Sequence, residues 1–406
     1  MRVLGIELEQ QDWSIRQLIP PWAARGSVGV EVSRSTSLGI ATVWACVRLL
    51  TSTVSRMPVD VLINGEDGVP SPYPSPRWLR RPIIGNPNFD RVAHFAQVMV
   101  SLLMEGNFFT LTPRDDSNDV SEVFVLDPQK VEITGTLTSP GYKVRNGSQS
   151  AEYGPEEVLH RGLLTLPGTQ RGVSPLDAAY HVFGVGLASQ EYAGRFFSQS
   201  QTPPGYIKVP QGSKVTIAEL KDGWEENHAG AENWHKPGVL TGGAEWAAIS
   251  ITNEQAQFLE QRQFSVSEIA RWFGVPPYMV GDVERSTSWG TGIEQQGIGF
   301  NTYSLNDYLV LLEEAYRALI PNPRSYIRFN RNALMRGDAK SRVEFYTGMW
   351  ELGSMNQDEI RAKEDLPPLP DGKGKTYYYQ SSNYSPVGTV PPISAPPSEP
   401  EPMEGK

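Results

Sequence analysis

The chain contains very little cysteine, no long apolar run and no surplus of positive charge. Cys46 is its single cysteine, so no intrachain disulfide and no cysteine-rich zinc site can form, which fits a reducing compartment. Because Cys46 lies in the apolar run 42–50, we expect a small buried hydrophobe rather than a reactive thiol.

Segments that would direct the chain to a membrane are also missing. Residues 1–20 include Glu7, Glu9 and Asp12 and lack the apolar centre of a secretory signal. No stretch approaches the ~20 apolar residues of a membrane span. The sequence therefore predicts a soluble protein that stays inside the cell when it is made and has no membrane partner.

Sequence motifs of catalysis are absent as well. There is no phosphate-binding Gly-x-x-x-x-Gly-Lys-Ser/Thr, no Rossmann fingerprint and no His-Glu-x-x-His. The segment Gly172–Pro175 lacks the second glycine of a nucleophile elbow. Paired carboxylates such as Glu313 and Glu314 are adjacent, so on a helix they point apart. We therefore predict no enzyme, no cofactor and no metal site, with a cytosolic hydrolase of unrecognised site as an alternative.

The formal net charge of −10 limits how the protein can contact nucleic acid. Proteins that grip DNA by its phosphates carry a basic surplus, because Lys and Arg supply that affinity. If DNA is a partner, we expect it to be held weakly. The acidity also fits a protein whose charge only aids solubility.

Length and apolar spacing predict an α+β protein of several units. Hydrophobic residues make up 39% of the chain and charged residues 20%, which is typical of folded proteins. The predicted helices cover residues 38–56, 92–105, 177–197, 217–228, 253–273, 293–320, 338–352 and 357–365. The predicted strands cover residues 59–63, 108–112, 122–126, 130–134, 142–145, 206–209 and 238–240.

Several short segments occur in an order that resembles one known family. They are Val43–Arg48, Met57–Val59, Asn86–Asn88, Met104–Phe109, Leu126–Pro128, Val158–His160, Gly172–Leu176, Gln257–Arg262, Glu268–Pro277, Asn356–Arg361 and Leu366–Leu369. Together they resemble the portal, or head–tail connector, proteins of long-tailed bacteriophages, of the compact siphophage type. The resemblance spans about residues 38–372.

The resemblance implies a multi-domain α+β portal fold with a wing, stem, clip and crown, and with long stem and channel helices, that assembles into a ring. The implied units are an α+β wing (38–176), a first stem helix (177–201), a clip (202–252), a second stem helix (253–280), a channel loop (281–292), a long helix returning to the wing (293–320) and a crown (321–380). Outside the resemblance, the residues themselves predict an irregular N-terminal arm (1–37) and a disordered Pro-rich tail (381–406).

The polar segment 281–292 becomes, through this resemblance, a candidate DNA-channel loop. Its candidate DNA-facing residues are Asp282, Glu284, Arg285, Ser286, Thr287, Ser288 and Trp289. The hydroxyls offer weak, sequence-independent contacts to phosphate oxygens, and Arg285 offers a transient one. Gly290 and Gly292 permit backbone mobility. An ordinary surface loop is the alternative interpretation.

Three tryptophans of the implied clip are candidates for partner docking. They are Trp224, Trp234 and Trp246. Aromatic side chains are enriched at protein interfaces, although core packing remains equally open for each of them.

The resemblance implies a ring-shaped DNA channel at one vertex of the capsid, in the virion, assembled in the host cytoplasm. Such a ring nucleates head assembly, docks the terminase during packaging and the tail connector afterwards, and lets DNA out on ejection. The implied partners are eleven further copies of the chain, the terminase large subunit, a head–tail adaptor, the major capsid protein, the scaffold and double-stranded DNA without sequence specificity. Another oligomeric head–tail adaptor is the nearest alternative.

Overall fold

The computed structural model describes residues 31–199, 205–208, 245–248, 266–282, 297–331 and 339–378. The chain forms two compact units, Met1–Phe329 and Asn330–Lys406. Helices in the described ranges are α1 (Arg34–Leu38), α2 (Ala41–Arg56), α3 (Arg77–Arg80), α4 (Arg91–Glu105), α5 (Pro175–Ala178), α6 (Tyr180–Gln199), α7 (266–272), α8 (Asn306–Arg317), α9 (Ala339–Glu351) and α10 (Gln357–Lys363). Strands are β1 (Val59–Asn64), β2 (Pro70–Pro72), β3 (Asn107–Leu111), β4 (Phe124–Leu126), β5 (Val131–Thr136), β6 (Ser139–Asn146), β7 (Gln149–Tyr153), β8 (Val158–Gly162), β9 (Gly205–Lys208), β10 (Glu245–Ala248) and β11 (Ser325–Phe329).

The start of the first unit differs from the sequence prediction. The side chain of Ser33 accepts a hydrogen bond from the Thr36 amide at 3.2 Å, and the Thr36 hydroxyl accepts one from the Ser33 amide at 2.8 Å. This capping box starts α1, and α2 begins only after Ile40, whose backbone is extended. Helix α1 therefore occupies residues 34–38, where the arm and the start of a single helix were predicted, and α2 begins at residue 41, because the cap adds a turn that carries no apolar period.

The core of the first unit lies between α2, α4 and α8. The apolar residues that recur at helical spacing on α2 and α4 are its centre, among them Leu50, Phe95 and Leu102, all fully buried. Burial of each such side chain contributes about 1.5–3 kcal/mol. Cys46 is part of this core, and its burial raises the thiol pKa to about 12. The prediction of a buried hydrophobe is thus confirmed.

A polar pair lies inside this core. The His94 Nε2 and the Tyr316 hydroxyl form a hydrogen bond of 2.6 Å, and the Tyr316 ring stacks on Phe108 with centroids 6.1 Å apart. Burial lowers the pKa of His94 to about 3, so its imidazole is neutral. The pair joins α4 to α8, which is the helix that returns from the candidate loop.

The described strands form four small antiparallel sheets, with strand orders β11-β1-β2, β4-β3-β8, β5-β6-β7 and β9-β10. Strand β11 pairs with β1 in a register that places Ile327 opposite Val61. Ile327 and Phe329 are fully buried in the first unit. Residues 325–329, which lie within the crown range that the resemblance implies, therefore complete the first sheet. Strand β2 lies within the segment 65–76, where Gly, Pro and Ser dominate and the composition by itself indicates a loop.

The second unit has two helices in its described part. Asn356 caps α10 by accepting a hydrogen bond from the Glu359 amide, and Glu359 accepts one from the Asn356 amide, both at 2.9 Å. The predicted helices over 338–352 and 357–365 match α9 and α10 closely. The predicted helix 217–228 and strand 238–240 lie outside the described residues, as does the tail from 379 onwards.

Candidate functional site

The candidate DNA-channel loop is described only at its first residues, Gly281 and Asp282. The other candidate residues lie outside the described ranges; they are Glu284, Arg285, Ser286, Thr287, Ser288 and Trp289. Of the clip tryptophans, Trp224 and Trp234 lie outside as well. The Trp246 backbone belongs to β10, where it pairs with Ile207 of β9.

The chain entering the loop is fixed to α7. Gly274 ends this helix with a φ of 64°, a left-handed conformation that glycine adopts without strain. A 3-10 turn over Pro277–Val280 follows and ends at Gly281, whose φ is 93°. The Ser267 hydroxyl then donates a hydrogen bond of 2.8 Å to the Asp282 carboxylate. The first end of the loop is therefore held against the helix that precedes it.

The chain leaving the loop returns to the same place. A β-carbon on Gly297 would lie 3.7 Å from the Tyr278 hydroxyl, in the turn that precedes the loop. The Ser304 hydroxyl donates a hydrogen bond of 2.6 Å to the Gly274 carbonyl. Residues 297 and 304, which follow the segment 283–296 in the chain, thus lie against the segment 266–282 that precedes it.

The returning helix is not a regular α-helix at this base. Phe300–Leu305 is π-helical and leads directly into α8, whereas the sequence pattern predicted one α-helix over 293–320. In a π turn the hydrogen bonds run from residue i to i+5, so Phe300 and Leu305 are both buried on one side. Such turns are rare and occur often at functional sites. The irregularity lies between the candidate loop and α8.

The described parts of the two predicted stem helices, in α6 and α7, pack together. A β-carbon on Gly186 of α6 would lie 3.7 Å from Ile269 of α7 and 3.5 Å from Ile40. The rings of Phe183 and Phe273 stack with centroids 6.2 Å apart. The small Gly186 therefore allows α6 to approach both α7 and the start of α2.

The segment Gly172–Pro175, which resembles a family landmark, fixes the start of α6. The Asn107 side chain accepts a hydrogen bond of 2.6 Å from the Gly172 amide and donates one of 2.8 Å to the Gly172 carbonyl. Gly106 has a φ of 66°, and a β-carbon there would overlap the Val173 carbonyl. Two motifs that the sequence separates by 65 residues therefore meet, and the contact holds the segment that leads into α5 and α6 against the start of β3.

The Arg171 cation and the buried His160 imidazole flank Phe109 beside this junction. Arg171 donates hydrogen bonds of 2.9 Å to the carbonyls of Val131 and Pro128, and its guanidinium lies 5.7 Å from the Phe109 ring. His160 stacks on the same ring at 4.2 Å. Burial, and then the nearby Arg171 and Arg161 cations, lower the pKa of His160 to about 3. The arrangement is structural, and no signal in the sequence pointed to it.

An open cavity of about 790 Å³ lies on the first unit between the sheets and the end of α8. Its lining includes Arg114, Tyr142, Arg161 and Leu319, and no predicted site residue borders it. Within the described ranges, no three His, Cys, Asp or Glu side chains come together so as to hold a metal ion. No helix there is long and apolar enough to cross a membrane.

Comparisons with known proteins agree with this arrangement. A family model described as "Phage portal protein" matches residues 41–365. The chain is 33% identical over 395 residues to the "Probable portal protein" of Streptomyces phage phiC31, covering 92% of this chain and 84% of the relative. It is 32% identical over 362 residues to the "Portal protein" of Enterobacteria phage HK97, covering 87% of this chain and 85% of the relative.

Solved structures show the same fold. A chain of the "Neck of native GTA particle computed with C12 symmetry" aligns with a TM-score of 0.61 at 20% identity, covering 86% of this chain and 96% of the other. A chain of the "Virion of native gene transfer agent (GTA) particle" gives a TM-score of 0.60 at 21% identity, with the same coverage. These likenesses and the observed helices and sheets confirm the predicted α+β portal fold. With a matching family model over most of its length and two relatives above 30% identity, the chain belongs to the phage portal protein family.

Proposed function

We propose that this portal protein forms a ring of twelve copies around a central channel, and that residues 281–292 project into that channel. The closed base of the loop is the observation that carries the proposal. The residues on both sides of the loop contact the segment 266–282, and on the second side the contact comes from the π-helical turn. A polar segment can therefore extend from a fixed point without disturbing the packing of the stem helices. The C12 symmetry of the particle neck that contains a chain of the same fold supports the copy number.

The charge of the chain suits a channel through which DNA must slide. Each phosphate that a cation neutralises adds affinity and resists movement. A subunit with a net charge of −10 offers little such affinity, while the hydroxyls of Ser286, Thr287 and Ser288 offer weak contacts to any phosphate. We expect Arg285 to touch the backbone transiently and Trp289 to pack on a neighbouring copy.

We propose the remaining roles on the basis of membership of the portal family. The ring lies at one vertex of the capsid, after assembly in the host cytoplasm with the major capsid protein and scaffold. Its clip, with Trp224, Trp234 and Trp246 as docking candidates, contacts the terminase during packaging and a head–tail adaptor afterwards. The protein hydrolyses nothing itself, because the terminase spends the ATP, and DNA leaves through the same channel on ejection.

The test combines electron microscopy with a head-filling assay. Negative-stain images of the full-length protein are expected to show rings of about twelve subunits with an open centre. The variant Ser286→Ala/Ser288→Ala is expected to form the same rings but to yield fewer DNA-filled heads in phage complementation. The matched control is Ser148→Ala/Ser150→Ala, which removes two exposed hydroxyls from the wing.

Two results would contradict the proposal. A monomer or small dimer that persists across salt and protein concentration would refute the ring. If rings of the loop variant fill heads with DNA normally, the loop hydroxyls do not contact the DNA as proposed.

A further inference from the structure

The open cavity of the first unit runs along strand β8. All five residues of this strand, Val158–Gly162, line the cavity. At about 3.3 Å per residue, the strand extends for roughly 16 Å. Pro140 and Tyr142 of β6 border the same space, as do Ala318 and Leu319 just after α8. The volume of about 790 Å³ falls within the range of about 300–1,000 Å³ that is typical of binding sites. The cavity is therefore a groove large enough for an elongated ligand.

Two arginines line this groove at different points along its length. Arg161 of β8 pairs with Phe108 of β3. Arg114 follows β3, beyond the point where the Thr112 amide donates a hydrogen bond of 2.8 Å to the Glu157 carbonyl. Extended chain from Phe108 to Arg114 spans roughly 20 Å. A single small anion would therefore leave most of the groove unfilled.

Both arginines keep N–H donors free. Arg161 donates a hydrogen bond of 2.8 Å to the His160 carbonyl, and Arg114 donates one of 2.9 Å to the Asn118 carbonyl. A guanidinium has several further donors in a planar fork that suits a carboxylate. In the described part of the chain, neither arginine forms an ion pair with an acidic side chain. Glu156 is the one acidic residue on the lining and lies towards Arg114, so the Arg161 end is the more positive.

A buried hydroxyl lies near the Arg161 end of the groove. Tyr142 is only 5% exposed, and its ring packs edge-on against His160 with centroids 5.9 Å apart. The Tyr142 hydroxyl forms no hydrogen bond with any described residue, yet it is not fully enclosed, so it reaches the groove that Tyr142 lines. Burial raises the pKa of this hydroxyl, and the nearby Arg161 cation opposes that rise. A free hydroxyl donor and a free guanidinium therefore lie together, which is an arrangement that suits a carboxylate.

We propose that this groove binds an extended segment of a partner protein through an acidic side chain. The carboxylate accepts hydrogen bonds from the Arg161 guanidinium and the Tyr142 hydroxyl. Apolar residues on either side of that acid lie along Val158, Leu159 and Leu319. A segment of about five extended residues matches the length of β8. The complementary charge of the groove selects an acidic segment, and the inference depends neither on the ring nor on residues 281–292.

Peptide display on the full-length protein tests this chemistry. Short peptides of random sequence are selected on the immobilised protein, after those that also bind the Arg161→Gln variant have been removed. We expect the selected peptides to share an Asp or Glu between apolar residues. One of them is then synthesised together with its Asn or Gln counterpart, and the affinity of each is measured by fluorescence anisotropy. The amide counterpart is expected to bind about tenfold or more weakly, because it loses the charge-assisted hydrogen bonds.

A second variant separates binding from a purely structural role. Tyr142→Phe removes only the hydroxyl, which has no partner among the described residues, so the melting temperature is expected to stay unchanged. The same variant is expected to bind the acidic peptide about tenfold more weakly. The matched control is Arg48→Gln, which removes a cation from an exposed position on α2 and is expected to leave the affinity unchanged.

Several results would overturn the inference. Selection that yields no peptides, or peptides without shared acidic residues, would mean that the groove does not recognise an acidic segment. A lower melting temperature of Tyr142→Phe with unchanged affinity would make the hydroxyl structural. Equal competition by inorganic phosphate would show a general anion site instead of a peptide site. Selected sequences that match this chain would make a copy of the chain, rather than a partner, the occupant.

Discussion

Replacing Asn107 by alanine should destabilise the first unit more than any surface change. The Asn107 amide makes two hydrogen bonds to Gly172, of 2.6 and 2.8 Å, and lies 3.2 Å from the His160 Nε2. Asn107 and Gly172 are both buried, so water cannot replace the lost partner. Each buried group left without a partner costs about 1–3 kcal/mol, which gives about 2–6 kcal/mol for the two groups of Gly172.

That loss is large against the roughly 5–15 kcal/mol by which typical proteins are stable. Urea unfolding of the full-length protein, followed by tryptophan fluorescence at one fixed protein concentration, measures it through the shift of the midpoint. Asn88→Ala, at an exposed position, is the matched control and should stay within about 0.5 kcal/mol of the unchanged protein. If Asn107→Ala unfolds at the same urea concentration as the control, the amide does not hold the segment from which α5 and α6 depart.

Three further results are expected. Acid should destabilise the fold as pH falls from about 6.5 towards 3, because His94 and His160 have folded pKa values of about 3 and only the unfolded chain gains their protons. The free energy of unfolding should fall by up to about 2.7 kcal/mol per pH unit for the two histidines together. Equal urea midpoints at pH 7.5 and 5.5 would contradict this. Gly106→Ala should lower the melting temperature far more than Gly147→Ala, because both have positive φ but only a β-carbon at Gly106 meets a carbonyl; similar losses would show that φ alone matters. Ser304→Ala should leave rings intact and speed tryptic cleavage within residues 283–296, since it removes the bond to the Gly274 carbonyl; unchanged cleavage would mean that this bond does not hold the base of the loop.

Apolar periodicity predicted the helices well because helix faces leave a local signal. The stripe of Phe95, Val98 and Leu102 placed α4 within one residue, and the Asn356 cap placed α10. Strand β11 was missed although Ser325–Phe329 alternates in burial, because five residues after a long helix give too short a pattern. Its partner β1 is far away in the chain, so nothing local indicated the pairing.

The structure around the candidate site could also be predicted only in part, because local sequence patterns do not indicate irregular turns or distant contacts. The sequence predicted a polar glycine-rich segment between two helices, and residues 266–282 and 297–305 do flank it. It could not predict the π turn at Phe300–Leu305, because hydrogen bonds from i to i+5 leave no distinct apolar period in so few residues. Nor could one sequence show that Asn107 contacts Gly172, since each residue alone is compatible with an ordinary turn.

The pairing of β1 with β11 also sets a constraint on the order of folding. The wing sheet cannot close during synthesis until Ile327 has left the ribosome, by which time the whole of the intervening chain exists. Until then the edge of β1 that pairs with β11 is free. The faces of α2 and α4 that the folded protein buries are also not yet covered by α8. A nascent chain stalled before residue 325 is therefore expected to expose apolar surface and to bind chaperones, whereas segments between β8 and β11 can change in length at small entropic cost. The sheet of β11, β1 and β2 is therefore completed only after all the segments between β1 and β11 have been made.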